Sequence, residues 1–189
     1  EINKMGNLIG NRVIVLTIIL ALMVMTRGSH FLTELNLPDM SLILFLILGF
    51  FIPSLTLFFT LFFVGALIDF GSAVFDVSKG FCLTDGYWGL IPTYAILFYS
   101  GYLLKSKNLY QHLNFYVSIL LISITFAFIV STNTYYLFSG LFGNPSFFES
   151  ILHGWNYYPE YLLTNMVYGL IFFFLLKLKR FSQFISVFK

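Results

Sequence analysis

The chain has 189 residues, of which 59% are hydrophobic, 21% aromatic and 10% charged, with a net charge of +2 at pH 7. Its mean hydropathy is +0.89, whereas about a quarter of the residues in a soluble domain are charged. The composition therefore excludes an ordinary soluble domain and indicates an integral membrane protein. The Lys and Arg residues are scattered singly, so no basic face is available for nucleic acid.

The first apolar run, "VIVLTIILALMVMT", predicts a helix at about residues 8–27. It has no small-x-small cleavage site, so we expect the helix to be retained rather than removed as a signal peptide. Arg27 and His30 follow it. We interpret Arg27 as an anchor to lipid phosphate, and His30 either as a cap of this helix at headgroup level or as a ligand contact.

A second apolar run, residues 40–70, is too long for one span of a hydrocarbon layer of about 30 Å. Pro53 lies near its middle, where proline removes a backbone donor and disfavours helix at Ile52. The run therefore predicts two helices, at about residues 39–52 and 54–75, joined by a tight turn.

Three further helices are predicted, at about residues 86–104, 113–131 and 159–178. The fold class is then all-α, with six transmembrane helices in one domain covering residues 1–189. The polar connection between the fifth and sixth helices, about residues 131–160, is rich in aromatic residues and is expected to pack as an outer cap.

Six helices with a cytoplasmic N-terminus also satisfy the positive-inside rule, and they place the C-terminus in the cytoplasm. Arg27 and Lys79 are then the basic residues left outside. Five helices would put "KLKR" (residues 177–180) outside. The remaining basic residues are expected on the cytoplasmic side: Lys4, Arg12, Lys105, Lys107, Lys177, Lys179, Arg180 and Lys189.

Several polar and aromatic residues are expected at the outer helix ends, where they are candidates for one outward-facing pocket. Each also has a plainer interpretation. Asp69 is either a pocket contact or a carboxylate wetted by the membrane interface, and Tyr87 and Trp88 lie where an aromatic belt is expected in any case. The other two candidates are Cys82 and Asp85.

Cys82 is the single cysteine, and the predicted topology puts it outside, in the loop between the third and fourth helices. A lone thiol in an oxidising compartment has no intramolecular disulfide partner. It is either retained by chance or serves as a soft metal ligand. One cysteine without a histidine cluster does not make a four-ligand zinc site, so a metal that arrives with a substrate fits better.

Four segments carry a family resemblance: "TRGSHF", "LPDMSLILFLILG", "LIDFGS" and "FCLTDGYWGL". They resemble the BtuM family, small bacterial inner-membrane proteins implicated in cobalamin uptake and related to the S-components of energy-coupling factor transporters. The resemblance covers about residues 26–101. It departs from the family pattern at residues 84–87, in the loop, and at Leu42, at the expected pocket edge.

The resemblance implies an S-component-like bundle that binds the corrinoid from the periplasmic side. Cys82 would be the axial ligand of the corrin cobalt and would displace cyanide from cyanocobalamin, so that transport and a decyanation reaction share one site. His30, Asp69 and Tyr87 match family pocket positions. No cofactor of the protein's own is implied, because cobalamin is the transported ligand.

Two other classes of function are open on the sequence. One is a membrane enzyme using Cys82 as a nucleophile, although no paired base lies near it in sequence; the other is a structural or assembly protein. The expected partners are cobalamin and the lipid bilayer. An energising ATPase module would dock on small residues of the first helix, where only Thr17 and Ala21 have suitable spacing before Met23 and Met25, so function without such a module is favoured.

Overall fold

The computed structural model describes residues 2–27, 37–75, 83–143 and 145–178, with side chains described from residue 10 onward. These residues form helices and short connections, with no β-strand among them, as an all-α fold requires. A 3-10 turn at Asp85–Gly89 precedes the fourth helix. The α-helices are α1 (Ile2–Arg27), α2 (Ser41–Phe51), α3 (Leu55–Phe75), α4 (Leu90–Ser106), α5 (Leu113–Phe138), α6 (Phe147–Gly154) and α7 (Tyr158–Lys177).

Four helical segments of the described chain are long and apolar enough to cross a membrane, judged by length and composition: Gly10–Arg27, Leu55–Phe75, Leu113–Phe138 and Phe147–Lys177. The 11 residues of α2 and the 17 of α4 rise about 16 Å and about 25 Å, less than the hydrocarbon thickness of about 30 Å. The described fold is therefore all-helical, with four helices able to cross a membrane, and the number of six spans stays a prediction.

Helix α2 ends at Phe51 and α3 begins at Leu55, on either side of Pro53. The break leaves few backbone groups without a partner, because proline has no N–H to satisfy. The Ser54 amide donates to the Ile52 carbonyl at 2.7 Å, and the Ile52 amide donates to the Leu48 carbonyl at 2.7 Å. A turn of this kind can therefore sit against apolar surroundings.

Helix α2 forms the centre of the bundle, since all of its residues except Ile47 are buried. Its backbone lies directly against α4. A Cβ added at Gly49 would come within 1.9 Å of the Phe98 carbonyl oxygen, and one at Gly101 within 2.0 Å of the Leu46 carbonyl oxygen. Because only glycine permits this approach, the two residues fix the register of α2 on α4.

The short α2 starts deep in the bundle. Ser41 and Tyr94 both contact Arg27, and Ser100 of α4 lies opposite Ser123 of α5, with their hydroxyl oxygens 2.6 Å apart. Counting about 1.5 Å per residue along α4 and α5 places Ser41 about 13 Å short of the end of α5 at Phe138. The start of α2 is thus recessed from that end of the bundle.

Charged residues divide between the two ends of the bundle. We call the end where α1, α3 and α5 finish the acidic end, and the other the basic end. Arg27 is the one described cation at the acidic end. The described acids at the acidic end are Asp39, Asp69, Asp85, Glu149 and Glu160, and the described cations at the basic end are Arg12, Lys105, Lys107 and Lys177.

The segment expected as a polar connection is largely helical. Helix α5 continues to Phe138, two turns beyond its predicted end, and α6 occupies Phe147–Gly154. A capping box begins α6: the Ser146 hydroxyl accepts from the Glu149 amide, and the Glu149 carboxylate accepts from the Ser146 amide. Local capping and packing on α5 favour helix in these residues.

Candidate functional site

Arg27, the last residue of α1, forms a bidentate ion pair with Asp69 of α3. Its Nε donates to Asp69 Oδ1 at 2.8 Å and its Nη2 to Asp69 Oδ2 at 2.6 Å. The Arg27 side chain is 8% exposed and that of Asp69 is 19% exposed. Two parallel hydrogen bonds between planar groups give the strongest geometry for such a pair. The interpretation of Arg27 as a lipid phosphate anchor is therefore wrong.

The remaining guanidinium nitrogen of Arg27 joins α1 to α2 and α4. Nη1 donates to Ser41 Oγ at 2.9 Å and to the Tyr94 hydroxyl oxygen at 2.5 Å. Tyr94 is held by stacking on Phe45 of α2, with ring centroids 4.4 Å apart. One buried guanidinium thus ties together three helices besides its own.

Asp39, two residues before α2 begins, contacts both Ser41 and Arg27. Its Oδ1 accepts hydrogen bonds from the Ser41 amide at 2.9 Å and the Ser41 hydroxyl at 2.6 Å. Its Oδ2 lies 3.7 Å from Arg27 Nη1. The Asp39 side chain is nevertheless 52% exposed, so this carboxylate is the member of the group most open to solvent or to a ligand.

Tyr87 brings the turn before α4 into the group. Its hydroxyl donates to Asp69 Oδ2 at 2.9 Å, and its ring packs between Phe62 and Phe70. Burial, and next the negative charge of Asp69, raise the pKa of the Tyr87 phenol well above its ordinary value. The phenol therefore stays protonated and remains a donor to the carboxylate. We call Arg27, Asp39, Ser41, Asp69, Tyr87 and Tyr94 the Arg27 cluster.

The position of Tyr87 is set by the 3-10 turn around it. The Thr84 hydroxyl accepts from the Gly86 amide at 3.3 Å and caps the turn. The turn lies against α5, where a Cβ at Gly86 would come within 2.6 Å of the Thr134 carbonyl oxygen and one at Gly89 within 2.0 Å of its hydroxyl oxygen. This close contact fixes the chain immediately after Cys82 on the bundle.

The structure brings two of the predicted site residues together, Asp69 and Tyr87. Trp88 points elsewhere: it is 50% exposed and its ring packs edge-on against Phe138 at 5.3 Å. Asp85 is exposed at the start of the 3-10 turn. His30 and Cys82 lie outside the described residues, so their predicted roles stay predictions.

Three members of the Arg27 cluster were not predicted from the sequence: Asp39, Ser41 and Tyr94. The pairing of Arg27 with Asp69 was not predicted either. A usable signal was present, because a cation and an acid each close to the end of a long apolar run rarely stay unpaired within a membrane. Nothing local in the sequence marks Ser41 or Tyr94 as their partners.

The Arg27 cluster combines one cation with two carboxylates, and Asp69 has both oxygens engaged by protein donors. It can therefore hold helix ends in place, and it can present Asp39 to an incoming donor group. Among the described residues, no three His, Cys, Asp or Glu side chains come together as a metal site. Comparison of the chain with models of protein families and with curated proteins finds no match.

Proposed function

We propose that this protein takes up cobalamin across the bacterial inner membrane, binding the corrinoid at the acidic end with Cys82 as the axial ligand of cobalt. The proposal includes six membrane spans in an S-component-like arrangement, with both termini in the cytoplasm. The acidic end then faces the periplasm.

One observation carries the proposal: residues from all four resembling segments are in direct contact. Arg27 comes from "TRGSHF", Ser41 from "LPDMSLILFLILG", Asp69 from "LIDFGS" and Tyr87 from "FCLTDGYWGL". The Arg27–Asp69 pair alone links positions 42 residues apart. Segments that resemble one family and also meet in space favour a shared site over four chance similarities.

The Arg27 cluster also bears on the loop that carries Cys82. Asp69 lies shortly before that loop and Tyr87 shortly after it, and the hydrogen bond between them ties both flanks together. A tethered loop loses less conformational entropy when it binds a ligand. This supports Cys82 as a ligand residue at the acidic end.

The chemistry expected of Cys82 is a ligand exchange. The thiol loses its proton to solvent, the thiolate sulfur forms a bond to Co(III), and the cobalt–cyanide bond breaks to release cyanide. No electron is transferred in this step, so no oxidant or reductant is needed. A thiolate is a soft ligand suited to this exchange, and a corrinoid with its amide rim also offers donors to carboxylates.

The distribution of charge supports the proposed orientation. Every described cation other than Arg27 lies at the basic end, and Arg27 is neutralised by Asp69. Under the positive-inside rule the basic end is cytoplasmic. The acidic end, with the flanks of the Cys82 loop, then faces the side from which a periplasmic ligand arrives.

The question of an ATPase module stays open to experiment, and function without one is still our proposal. Thr17 and Ala21 are exposed on α1, together with Met25 at 42%. Met23 is fully buried, so it does not interrupt the exposed face of α1 as the sequence analysis assumed. Exposed bulky residues beside Thr17 and Ala21 include Ile18 and Met25.

The test is the visible spectrum of cyanocobalamin mixed with purified protein under reducing conditions, with binding measured separately by gel filtration. We expect a shifted spectrum for the wild type, release of cyanide, and no shift for Cys82→Ser. The double variant Cys82→Ser/Ser139→Cys is the matched control, because it keeps one thiol at the acidic end in a different loop. Binding without a spectral shift, or an equal shift in either variant, would refute the role of Cys82.

A further inference from the structure

The carboxylate of Asp39 keeps one oxygen available to an incoming molecule. Its Oδ1 accepts hydrogen bonds from the amide and the hydroxyl of Ser41. Its Oδ2 lies 3.7 Å from Arg27 Nη1, which donates instead to Ser41 and Tyr94. Within the described part of the chain, Oδ2 therefore accepts no hydrogen bond. Because the Asp39 side chain is 52% exposed, this oxygen can accept a hydrogen bond from a ligand.

Protein contacts on both sides fix the orientation of this carboxylate. The two bonds from Ser41 hold Oδ1 at the start of α2, a helix in which all residues except Ile47 are buried. On the other side of Asp39, the Tyr168 hydroxyl of α7 donates to the Pro38 carbonyl at 3.0 Å. An acceptor held in this way loses little conformational entropy when a donor binds to it.

The segment around Asp39 lies below the ends of two helices. The contact between Tyr168 and Pro38 is about 15 Å along α7 from the start of that helix. A similar count along α5 places Ser41 about 13 Å short of Phe138. A molecule that contacts Asp39 from the acidic end therefore reaches below the ends of both helices, so the carboxylate is part of a recess rather than of an outer surface.

The charge of the Arg27 cluster determines which chemical groups fit this recess. The cluster holds two carboxylates and one guanidinium, so it carries one net negative charge. Such a surface favours N–H donors and repels a carboxylate. The peripheral side chains of cobalamin end in carboxamides, which are neutral and carry N–H donors. An incompletely amidated corrinoid carries carboxylates at the same places.

We propose that Asp39 Oδ2 accepts a hydrogen bond from a peripheral carboxamide of the corrinoid, and that it thereby selects fully amidated corrinoids over those with a free carboxylate. The inference rests on the proposed function, which supplies the corrinoid as the ligand. A ligand carboxylate at this position has no proton to donate and faces a like charge. The lost hydrogen bond and the repulsion then act in the same direction, so selectivity comes from both.

The test compares cyanocobalamin with its separated monocarboxylic acids, in each of which one peripheral carboxamide is replaced by a carboxylate. Equilibrium dialysis with purified protein at neutral pH measures the dissociation constant of each ligand. Because all of them contain the same cobalt centre, the ratio of two constants cancels the contribution of a cobalt–sulfur bond. We expect the wild type to bind at least one of the acids about tenfold more weakly than cyanocobalamin.

Asp39→Asn should bring that ratio close to one, because the amide nitrogen of the new side chain can donate to a ligand carboxylate. The amide oxygen can still accept from Ser41, and asparagine caps helices about as well as aspartate does, so the variant should fold. Glu160→Gln is the matched control. It removes an exposed negative charge from the same end of the bundle, and its ratio should equal that of the wild type.

Equal affinities of the wild type for cyanocobalamin and for all of the acids would overturn the inference and leave the proposed function intact. An unchanged ratio in Asp39→Asn, or the same loss of selectivity in Glu160→Gln, would also overturn it. Failure of the wild type to bind cyanocobalamin would instead refute the proposed function, and this inference with it. Should Asp39→Asn fail to fold, Asp39→Ser keeps an oxygen acceptor for Ser41 and can replace it.

Discussion

The guanidinium of Arg27 and the carboxylate of Asp69 face each other through two hydrogen bonds of 2.8 and 2.6 Å, largely out of contact with solvent. A pair of this kind is costly to break from one side, because the partner left behind keeps its charge in a poorly hydrated place. This relationship determines how substitutions at the acidic end should behave.

Loss of either partner should destabilise the protein more than loss of both. We expect Arg27→Met and Asp69→Leu each to lower the free energy of unfolding by about 3–5 kcal/mol, and the double variant to be more stable than either single one. Thermal unfolding in detergent, followed by circular dichroism, measures all four proteins. Additive losses in the double variant would show that the two charges do not stabilise each other.

Asp69→Asn should lower the stability of the protein as well as its affinity for any ligand bound there. The Asn amide would leave Arg27 without its counter-charge. We therefore expect a lower melting temperature, partly restored by adding Arg27→Met. If Asp69→Asn melts like the wild type and only binding is lost, the carboxylate acts on the ligand rather than on Arg27.

The hydroxyl of Tyr87 should make stability depend on pH in the alkaline range. Its pKa is raised in the folded state from an ordinary value of 10.0, so the folded protein holds this proton more tightly than the unfolded chain. Its contribution is fully present below pH 10 and is lost as the pH rises above that. Tyr87→Phe should therefore show a smaller alkaline loss of stability than the wild type, and identical alkaline profiles would contradict the hydrogen bond to Asp69.

Contact between α2 and α4 should depend on glycine at position 101. Gly101→Ala places a methyl group against the Leu46 carbonyl oxygen, and we expect a loss of about 2 kcal/mol or more because two backbones must separate. Gly71→Ala in α3 is the matched control, since nothing lies within 4 Å of the added Cβ. That control should be neutral or slightly stabilising. Similar melting temperatures for the two variants would argue against the close packing.

The accessibility of Cys82 to a thiol reagent and the location of two reporter fusions should test the proposed topology. A membrane-impermeant thiol reagent added to spheroplasts should label Cys82 in the ligand-free protein, and Cys82→Ser should abolish labelling. Reporter fusions at Lys107 and Lys189 should both read cytoplasmic. Periplasmic readings at both positions would mean that α2 and α3 do not count as two crossings, and opposite readings would mean that the chain between them crosses an odd number of times.

Local signals were sufficient for the turn at Pro53, because one proline in a long apolar run has few alternatives. They did not predict that α5 continues beyond residue 131, where the sequence contains Ser, Thr and Asn. In the structure the Thr134 hydroxyl and the Asn133 amide nitrogen each donate to a carbonyl one turn earlier, at 2.8 Å. Both side chains thus form their hydrogen bonds within the helix. The number of polar residues in the segment does not reveal this.

The sequence predicts at which end of the bundle the candidate site lies, but not which residues form it. Asp69 lies near the end of α3 and Tyr87 just before α4. With six helices assumed, both positions fall at the same end of the bundle. The partnership of Arg27 with Ser41 and Tyr94 depends on the side-by-side packing of α2 and α4, which two glycines allow. Contacts between individual side chains of different helices cannot be predicted from any one segment of the sequence.

The recessed start of α2 has a consequence for any solute that crosses here. Asp39 is open to solvent although its neighbour Ser41 lies about 13 Å short of the end of α5, so a molecule that reaches it has already entered the bundle without moving a helix. By the same count, about 25 Å of the bundle remains between the level of Ser41 and the start of α5 at Leu113. A solute on that path would run beside α2, the short buried helix at the centre of the bundle.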